Sequence, residues 1–273
     1  MKADIHSSAV IHPSAKIADG ARIGPFVVIG EDVTVGEGTY IGPHCLVEFA
    51  EIGKNNRMEG GAYIGLPAQD FGYYKTGGKT KIVIGDNNII REGVSLHRAS
   101  SPELLTKIGS NCMFMANSHV GHDGIVGDGV VIVNGSALAG HCEVEDNALI
   151  SAFVGVHQFA RIGRLAMATG GAKVALDLPP FCRAQGDRAK LVGLNLVGMR
   201  RAGIARENIS SVKQAYKTLF FSGMRLEEAL AKLKETRLTP EAAHFVAFCE
   251  KSKRGVMRPR MRALKVLETE SDE

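Results

Sequence analysis

The sequence predicts a mainly β protein, in which a parallel β-helix of hexapeptide repeats is followed by a smaller α-helical C-terminal domain. Aliphatic residues recur at every sixth position over more than half of the 273-residue chain, and single glycines repeatedly follow them. This period ends after Val174, and apolar residues three and four positions apart begin near Asp187. A six-residue period followed by a helical one indicates two architectures in one chain.

The hexapeptide repeat begins at Ile5 and runs to Val174, with a register slip of one residue after Val47. It supplies 26 inward-facing positions, and all but three of them are Ile, Val or Leu. A helix requires apolar steps of three and four residues and an amphipathic strand steps of two, so a step of six fits neither. Parallel β-helices have this period, because each repeat sends one aliphatic side chain inward between tight turns. At three repeats per coil, the 26 repeats predict eight or nine coils.

Residues 18 positions apart stack on successive coils, because three hexapeptides complete one turn of the β-helix. The strand spacing separates such neighbours by about 4.8 Å. Within the unbroken run from Ile108 to Val174, this stacking gathers five chemically capable side chains on one corner. They belong to three adjacent columns: His122, Gly140 and Gln158; Asp123 and His141; and Gly121, Ala139 and His157. The sequence therefore predicts a site at this corner.

Two segments interrupt the repeat and predict excursion loops, near residues 66–81 and 98–107. Loops on a rigid scaffold often carry binding residues. We assign residues 1–186 to the β-helix and residues 187–255 to the helical domain. The remaining residues, 256–273, begin basic and end acidic, which predicts an exposed or partly helical tail.

Composition argues against several classes of function. The net charge is only +4 and there is no basic block with interleaved aromatic residues, so we expect no nucleic-acid partner. No segment has the apolar length of a signal peptide or a membrane span, so we expect no stable membrane insertion. Five scattered cysteines without a Cys-x-x-Cys pair predict reduced thiols and a cytoplasmic location.

In addition to the repeat itself, short motifs within residues 4–255 resemble those of bacterial UDP-N-acetylglucosamine O-acyltransferases. The motifs are specific in combination: Asn117-x-His119-x-x-His122-Asp123, Ala139-Gly140-His141, Val156-His157-Gln158-Phe159, Pro179-Pro180, Ala184-Gln185-Gly186 and Met199-Arg200-Arg201. The resemblance implies a left-handed β-helix and a homotrimer with active sites between neighbouring subunits. It also implies the first step of lipid A biosynthesis. In that step, a (R)-3-hydroxyacyl chain passes from acyl carrier protein to the 3-position of UDP-N-acetylglucosamine.

The same resemblance implies three catalytic residues. His122 matches the general base, and a positioned imidazole of this kind contributes about 10²–10⁴-fold to the rate. Asp123 would hold the other imidazole nitrogen and stabilise the imidazolium. Gly140 matches the residue whose backbone N–H binds the thioester oxyanion, an interaction worth on the order of 10²–10³ in rate.

Substrate-binding roles are implied by the resemblance as well. The matching positions are Asp70, His119, His141, His157, Gln158, Asn195 and Arg201. Gly170 matches the position where side-chain size limits the acyl chain, and its missing side chain favours a long chain. We expect no metal and no cofactor, because the acyl donor is acyl carrier protein with its own phosphopantetheine.

The first loop departs from the family pattern. The family usually has Gln-Asp-Leu-Lys-Tyr, with the lysine at the substrate, whereas this chain has Gln69-Asp70-Phe71-Gly72-Tyr73. Without that lysine, the sequence leaves open whether the acceptor atom is the sugar oxygen or the nitrogen of a 3-amino analogue.

Two other classes fit the same repeats. A zinc enzyme similar to gamma-class carbonic anhydrases would use His119, His122 and His141 as ligands at a subunit interface. Another hexapeptide acyltransferase or a binding protein would share the scaffold without this chemistry. Four arginines form either a patch for an acidic carrier protein or ordinary solubilising residues: Arg161, Arg164, Arg183 and Arg188.

Overall fold

A computed structural model describes residues 2–76 and 78–260. Twenty-six short parallel strands wind through residues 4–174. The first thirteen are β1 (Asp4–Ile5), β2 (Val10–Ile11), β3 (Lys16–Ile17), β4 (Arg22–Ile23), β5 (Val28–Ile29), β6 (Thr34–Val35), β7 (Tyr40–Ile41), β8 (Leu46–Val47), β9 (Ala50–Ile52), β10 (Arg57–Met58), β11 (Tyr63–Leu66), β12 (Ile82–Ile84) and β13 (Ile89–Ile90). The next thirteen are β14 (Ser95–His97), β15 (Thr106–Ile108), β16 (Met113–Phe114), β17 (His119–Val120), β18 (Ile125–Val126), β19 (Val131–Ile132), β20 (Ala137–Leu138), β21 (Glu143–Val144), β22 (Leu149–Ile150), β23 (Gly155–Val156), β24 (Arg161–Ile162), β25 (Met167–Ala168) and β26 (Lys173–Val174).

These strands form three sheets, one for each face of the solenoid. Each strand pairs in parallel with the strands three places before and after it, so β17, β20 and β23 are neighbours on one face. Each of the 26 predicted inward positions lies in one of the 26 strands. Partners in the unbroken run are 18 residues apart, as Val120 with Leu138 and Leu138 with Val156 show. The predicted parallel β-helix of hexapeptide repeats is confirmed.

Aliphatic side chains fill the interior of the β-helix. Val120, Leu138 and Ile150 are fully buried, and the same apolar core continues into the helical region through residues such as Tyr216 and Phe245. Each buried aliphatic side chain contributes about 1.5–3 kcal/mol. The stacked core therefore gives a rigid scaffold, on which the turns and loops carry the chemistry.

Both predicted loops leave the β-helix and return to it. The first contains a short helix, α1 (Phe71–Thr76), between β11 and β12. The second has no helix or strand from residue 98 to 105, and its predicted end, Thr106 and Lys107, is already the start of β15. Because β12 pairs with both β9 and β15, the sheet is continuous across the two insertions.

The helices begin at residue 196 rather than near Asp187, where the sequence predicted them. Residues 190–194 instead form a strand, because an antiparallel partner supplies its backbone hydrogen bonds. The C-terminal elements are β27 (Cys182–Gln185), β28 (Lys190–Leu194), α2 (Leu196–Arg201), α3 (Arg206–Phe221), α4 (Leu226–Lys234) and α5 (Pro240–Glu250). Since β27 also pairs in parallel with β25, this hairpin extends one face of the β-helix.

The first five residues of the predicted tail are not a free tail. Val256 bridges to Asp177 and Pro259 to Leu191, and Val256 and Met257 are buried. Pairing with backbone groups at the end of the β-helix holds this segment, which the charge pattern did not reveal. The rest of the predicted tail, residues 261–273, lies outside the described residues. Among the described helices, none combines the length and apolarity needed to span a bilayer.

Candidate active site

The predicted corner lies at the turns that follow β17, β20 and β23. Each turn requires a residue with a left-handed backbone, and Asp123, His141 and Phe159 supply it with φ values of 59°, 58° and 65°. This conformation is uncommon for residues other than glycine and costs least for Asp and Asn. His122 directly precedes such a residue, and its ring lies over the next coil, against Gly140.

His122 and Asp123 form a buried hydrogen-bonded pair. Nδ1 of His122 lies 2.6 Å from Oδ2 of Asp123, and the other carboxylate oxygen accepts a hydrogen bond of 2.9 Å from the Ser100 N–H. Because the carboxylate can only accept, Nδ1 carries the proton and Nε2 keeps a lone pair. Burial opposes ionisation of Asp123, but hydrogen bonds from His122 and Ser100 outweigh it and hold its pKa below the ordinary value. The imidazole is thus fixed beside a carboxylate that stays ionised.

Gly140 permits the position of the His122 ring. A Cβ atom on Gly140 would lie 2.5 Å from both Nε2 and Cε1 of His122, so only glycine fits here. Within residues 2–76 and 78–260, the Gly140 N–H and Nε2 of His122 have no hydrogen-bond partner. A free donor and a free acceptor therefore lie side by side at the corner.

His119 is half-buried and lies between Ser95 and His97. Its Nδ1 is 2.9 Å from Oγ of Ser95, and its ring meets that of His97 edge to face, with centroids 5.1 Å apart. Burial, followed by the nearby His97 and His122, lowers the pKa of His119 to about 4. Burial also lowers the pKa of His97. Both rings are neutral at neutral pH, which suits hydrogen bonding to a substrate.

A large cavity of about 1170 Å³ opens at this corner. Of the ten residues predicted for catalysis or substrate binding, the six that line it are Asp70, His119, His122, Gly140, His157 and Gln158. The floor of this cavity extends from the corner along the outward face of one sheet, where Ala137, Gly155 and Lys173 stack on successive coils. One elongated cavity thus connects the first loop, the catalytic corner and a smooth apolar strip.

The other four predicted residues do not line this cavity. Asp123 lies behind His122, and His141 lies beyond it, with Nε2 3.3 Å from Oδ2 of Asp123. The Asn195 side chain caps α2 by accepting from the Gly198 N–H at 3.1 Å and also donates to the Leu165 carbonyl at 2.9 Å. Arg201 ends α2 and is exposed.

Gly170, the predicted limit on the acyl chain, is an exposed turn residue after β25 and does not line this cavity either. The cavity of one chain does not test the roles predicted for Gly170, Asn195 and Arg201. They stay predictions.

The predicted zinc ligands are only partly brought together. Among the described residues, the group of potential metal ligands whose donor atoms all lie within 4.8 Å of one another comprises His122, Asp123 and His141. His119 is not in this group. The Nδ1 of His122 is engaged by Asp123, so the arrangement within one chain is a hydrogen-bonded carboxylate between two imidazoles.

Sequence reasoning did not assign the segment from Ser95 to Ser100 to the site. His97 contacts His119, and Ser100 contacts Asp123. The second loop breaks the 18-residue stacking, so β14 pairs with β17 at a distance of 24 residues. The signal available in the sequence was the polar composition of this loop edge.

Comparison with known proteins places the chain in a family. A model of bacterial transferase hexapeptide repeats matches residues 14–48, and a model described as UDP-N-acetylglucosamine O-acyltransferase, domain 2, matches residues 177–257. Among curated relatives, the acyl-[acyl-carrier-protein]–UDP-N-acetylglucosamine O-acyltransferase of Anaeromyxobacter sp. (strain Fw109-5) is 46% identical over 209 residues. The aligned region is 76% of this chain and 80% of that protein. The chain belongs to this O-acyltransferase family.

Solved structures of the UDP-N-acetylglucosamine acyltransferase family share the whole fold. The Francisella novicida enzyme superimposes with a TM-score of 0.91 at 39% identity, over 96% of each chain. LpxA from Acinetobacter baumannii gives a TM-score of 0.89 at 39% identity, over 93% of this chain and 99% of that one. The resemblance read from the corner motifs is confirmed at the level of the family.

Proposed function

We propose that the protein transfers a (R)-3-hydroxyacyl chain from acyl carrier protein to the 3-hydroxyl of UDP-N-acetylglucosamine. The observation that carries the proposal is the free Nε2 of His122, backed by Asp123 and adjacent to Gly140, at the wall of a 1170 Å³ cavity. Small-ligand sites usually measure about 300–1,000 Å³, so this cavity has room for more than one small substrate. Family membership supports the same reaction, since the curated relatives carry its name.

The corner supplies a base and an oxyanion donor in the same place. Nε2 of His122 takes the proton of the sugar hydroxyl as its oxygen attacks the thioester carbonyl. The negative charge that develops on the carbonyl oxygen is stabilised by the Gly140 N–H. Collapse breaks the carbon–sulfur bond, and the thiolate leaves with the proton held by His122. Asp123 stabilises the imidazolium formed between these steps.

The acceptor side lies next to the first loop. Asp70 and Gln69 line the cavity there, together with the neutral imidazole of His119. Neutral nitrogen and carboxylate oxygen are suitable partners for sugar hydroxyl groups. Because Gly72 replaces the family's lysine, an acceptor with a 3-amino group stays part of the proposal.

The donor chain fits the apolar floor. His119, Ala137, Gly155 and Lys173 stack on the outward face of one sheet, so the floor from the catalytic corner to Lys173 spans three coil spacings, about 14 Å. Ala137 and Gly155 leave room for a chain above them, and the ion pair of Lys173 with Asp187, at 2.6 Å, lies at the far end. We infer that this pair limits the acyl chain.

Partners and location follow from the same proposal. We infer a homotrimer with sites between subunits, which would cover the exposed Phe153 and Phe159 beside the corner. Arg188 is exposed at the cavity and suits an acidic carrier protein, whereas Arg161 is held by Glu143 and by stacking on Phe248. A cytoplasmic location agrees with five free, buried cysteines.

The test is mass spectrometry of the products formed from a panel of acyl carrier proteins and sugar nucleotides. Transfer to the 3-oxygen of UDP-N-acetylglucosamine is expected, and the 3-amino analogue reports on acceptor choice. No product from any pair would refute the proposal. Metal analysis tests the zinc alternative, which family membership does not favour: stoichiometric zinc lost together with activity would favour a zinc enzyme instead.

A further inference from the structure

Arg98 lies in the second loop and is buried beneath the first. Only 8% of its side chain is exposed. A guanidinium in such a place requires partners for its five N–H groups, because an unpaired buried charge is costly. Its partners therefore show what this residue holds.

Those partners lie in α1 of the first loop, in β11, and in the turn between β8 and β9. Nε and Nη2 of Arg98 donate to the Tyr73 hydroxyl at 3.2 and 2.8 Å, and Nη1 donates to the Gly65 carbonyl at 2.6 Å. The guanidinium also lies over the Phe49 ring, 4.4 Å from its centroid, with Glu48 at 3.4 Å. Tyr73 is buried at this contact. Arg98 thus fixes α1 through the hydroxyl of one tyrosine.

Tyr73 connects this contact to Asp70. The backbone N–H groups of Tyr73 and Gly72 donate to Oδ1 of Asp70 at 3.2 and 2.7 Å. Asp70 lines the cavity at its acceptor end. The position of the Asp70 carboxylate therefore depends on where Tyr73 is held, and Arg98 holds it.

The neighbours of Arg98 hold the other parts of the site. Nδ1 of His97 donates to the Pro67 carbonyl at 2.7 Å, which fixes the start of the first loop. Three residues after His97, the Ser100 N–H donates to Oδ1 of Asp123 at 2.9 Å. One stretch of four residues contacts both the acceptor loop and the catalytic carboxylate.

We propose that Arg98 and Tyr73 are positioning residues, which hold the Asp70 loop at the acceptor end of the site in fixed geometry relative to His122 and Asp123. The proposal rests on the proposed function, because it assigns the nucleotide sugar to the Asp70 end. Loss of the hydrogen bonds between Arg98 and the Tyr73 hydroxyl should therefore weaken binding of the acceptor sugar and leave binding of the acyl donor intact.

The test is the Tyr73→Phe variant, which removes one hydroxyl and leaves the ring in place. We expect KM for UDP-N-acetylglucosamine to rise by about tenfold, since two guanidinium donors lose their partner and the loop loosens. KM for the acyl carrier protein substrate should change by less than about twofold, because Ala137, Gly155 and Lys173, which form the floor for the acyl chain, are not hydrogen-bond partners of Arg98 or Tyr73. Hydrogen exchange in residues 66–81 should accelerate by about tenfold. Arg98→Lys, which keeps the charge and loses the two-pronged contact, should act in the same direction.

Tyr216→Phe is the matched control. Tyr216 is fully buried in α3, and its hydroxyl has no hydrogen-bond partner among the described residues. Its removal should leave both KM values and the exchange of residues 66–81 unchanged.

Unchanged exchange in Tyr73→Phe and Arg98→Lys would overturn the proposal, and so would faster exchange with an unchanged KM for the sugar. A wild-type protein that transfers no acyl group would refute the proposed function instead. Binding of UDP-N-acetylglucosamine by calorimetry would then decide the proposal, since both variants should bind it about tenfold more weakly than wild type.

Discussion

The carboxylate of Asp123 accepts a 2.6 Å hydrogen bond from Nδ1 of His122, and both side chains are buried at a turn of the β-helix. This contact fixes the tautomer of the imidazole, because Nδ1 must carry the proton. The consequence is that Nε2, at the cavity wall, carries the lone pair.

His122→Ala should lower kcat by about 10²–10⁴-fold, because the sugar hydroxyl loses its base. The β-helix should fold normally, since the ring does not belong to the apolar core. Steady-state kinetics and thermal unfolding check both points. His12→Ala, which removes an exposed histidine from the first coil, is the control. Near wild-type transfer by a folded His122→Ala protein would contradict the assignment of the base.

Gly140→Ala keeps the backbone N–H but should lower kcat by about 10²–10³-fold, because His122 and the oxyanion donor no longer lie side by side. The new methyl group would lie 2.5 Å from Nε2 of His122 and must displace the ring. Gly24→Ala is a matched control for backbone strain, since its Cβ would lie 3.1 Å from the Ile41 carbonyl oxygen in a remote turn. Equal losses of activity in the two variants would mean that strain in the β-helix, and not the site, explains the effect.

His119 should titrate with a pKa of about 4, because burial and the neighbouring His97 and His122 disfavour its charged form. An unfolded histidine has a pKa of about 6.5, so the unfolded chain binds the proton more readily. The folded protein should therefore be fully stabilised above pH 6.5 and lose this stability progressively as the pH falls toward 4.

NMR titration of the His119 ring protons measures the pKa directly, with His119→Gln to assign the signals. Denaturant unfolding at several pH values measures the linked stability, and the variant should lose less stability than wild type on acidification. A His119 signal that titrates near neutrality would contradict the prediction.

Gly155→Leu should shorten the accepted acyl chain. A Cβ at Gly155 meets no atom within 4 Å, so the leucine side chain enters the apolar strip without disturbing the fold. We expect kcat/KM for the longest accepted chain to fall at least about tenfold, because the leucine side chain occupies the space of several acyl carbons. Donors with shorter chains should still be accepted. Product mass spectrometry with donors of graded length measures this shift.

Gly170→Leu tests the position implied by the family resemblance. Gly170 does not line the cavity of one chain, so an effect there would require a neighbouring subunit to complete the groove. An altered chain length in Gly170→Leu and an unaltered one in Gly155→Leu would move the acyl site away from the Ala137–Gly155 strip.

The regular part of the molecule could be predicted from the sequence because its information is local and periodic. Every sixth residue must be apolar to fill the interior of the β-helix, and each predicted inward residue lies in a strand. The same period predicts that His122 stacks with Gly140 and Gln158, and the His122 ring does lie against Gly140. The fold class, the corner that carries the site and the candidate base all follow from the six-residue period and the 18-residue stacking.

Tertiary structure alone decided the contacts and the strand that the six-residue period does not predict. The second loop changes the stacking distance from 18 to 24 residues, and this brings Ser95 to His119 and Ser100 to Asp123. In the same way, residues 190–194 become a strand because β27 offers a partner. Such contacts depend on loop paths and on unpaired backbone groups far away in the chain. No local pattern encodes them, whereas the spacing of aliphatic residues encodes the scaffold on which they form.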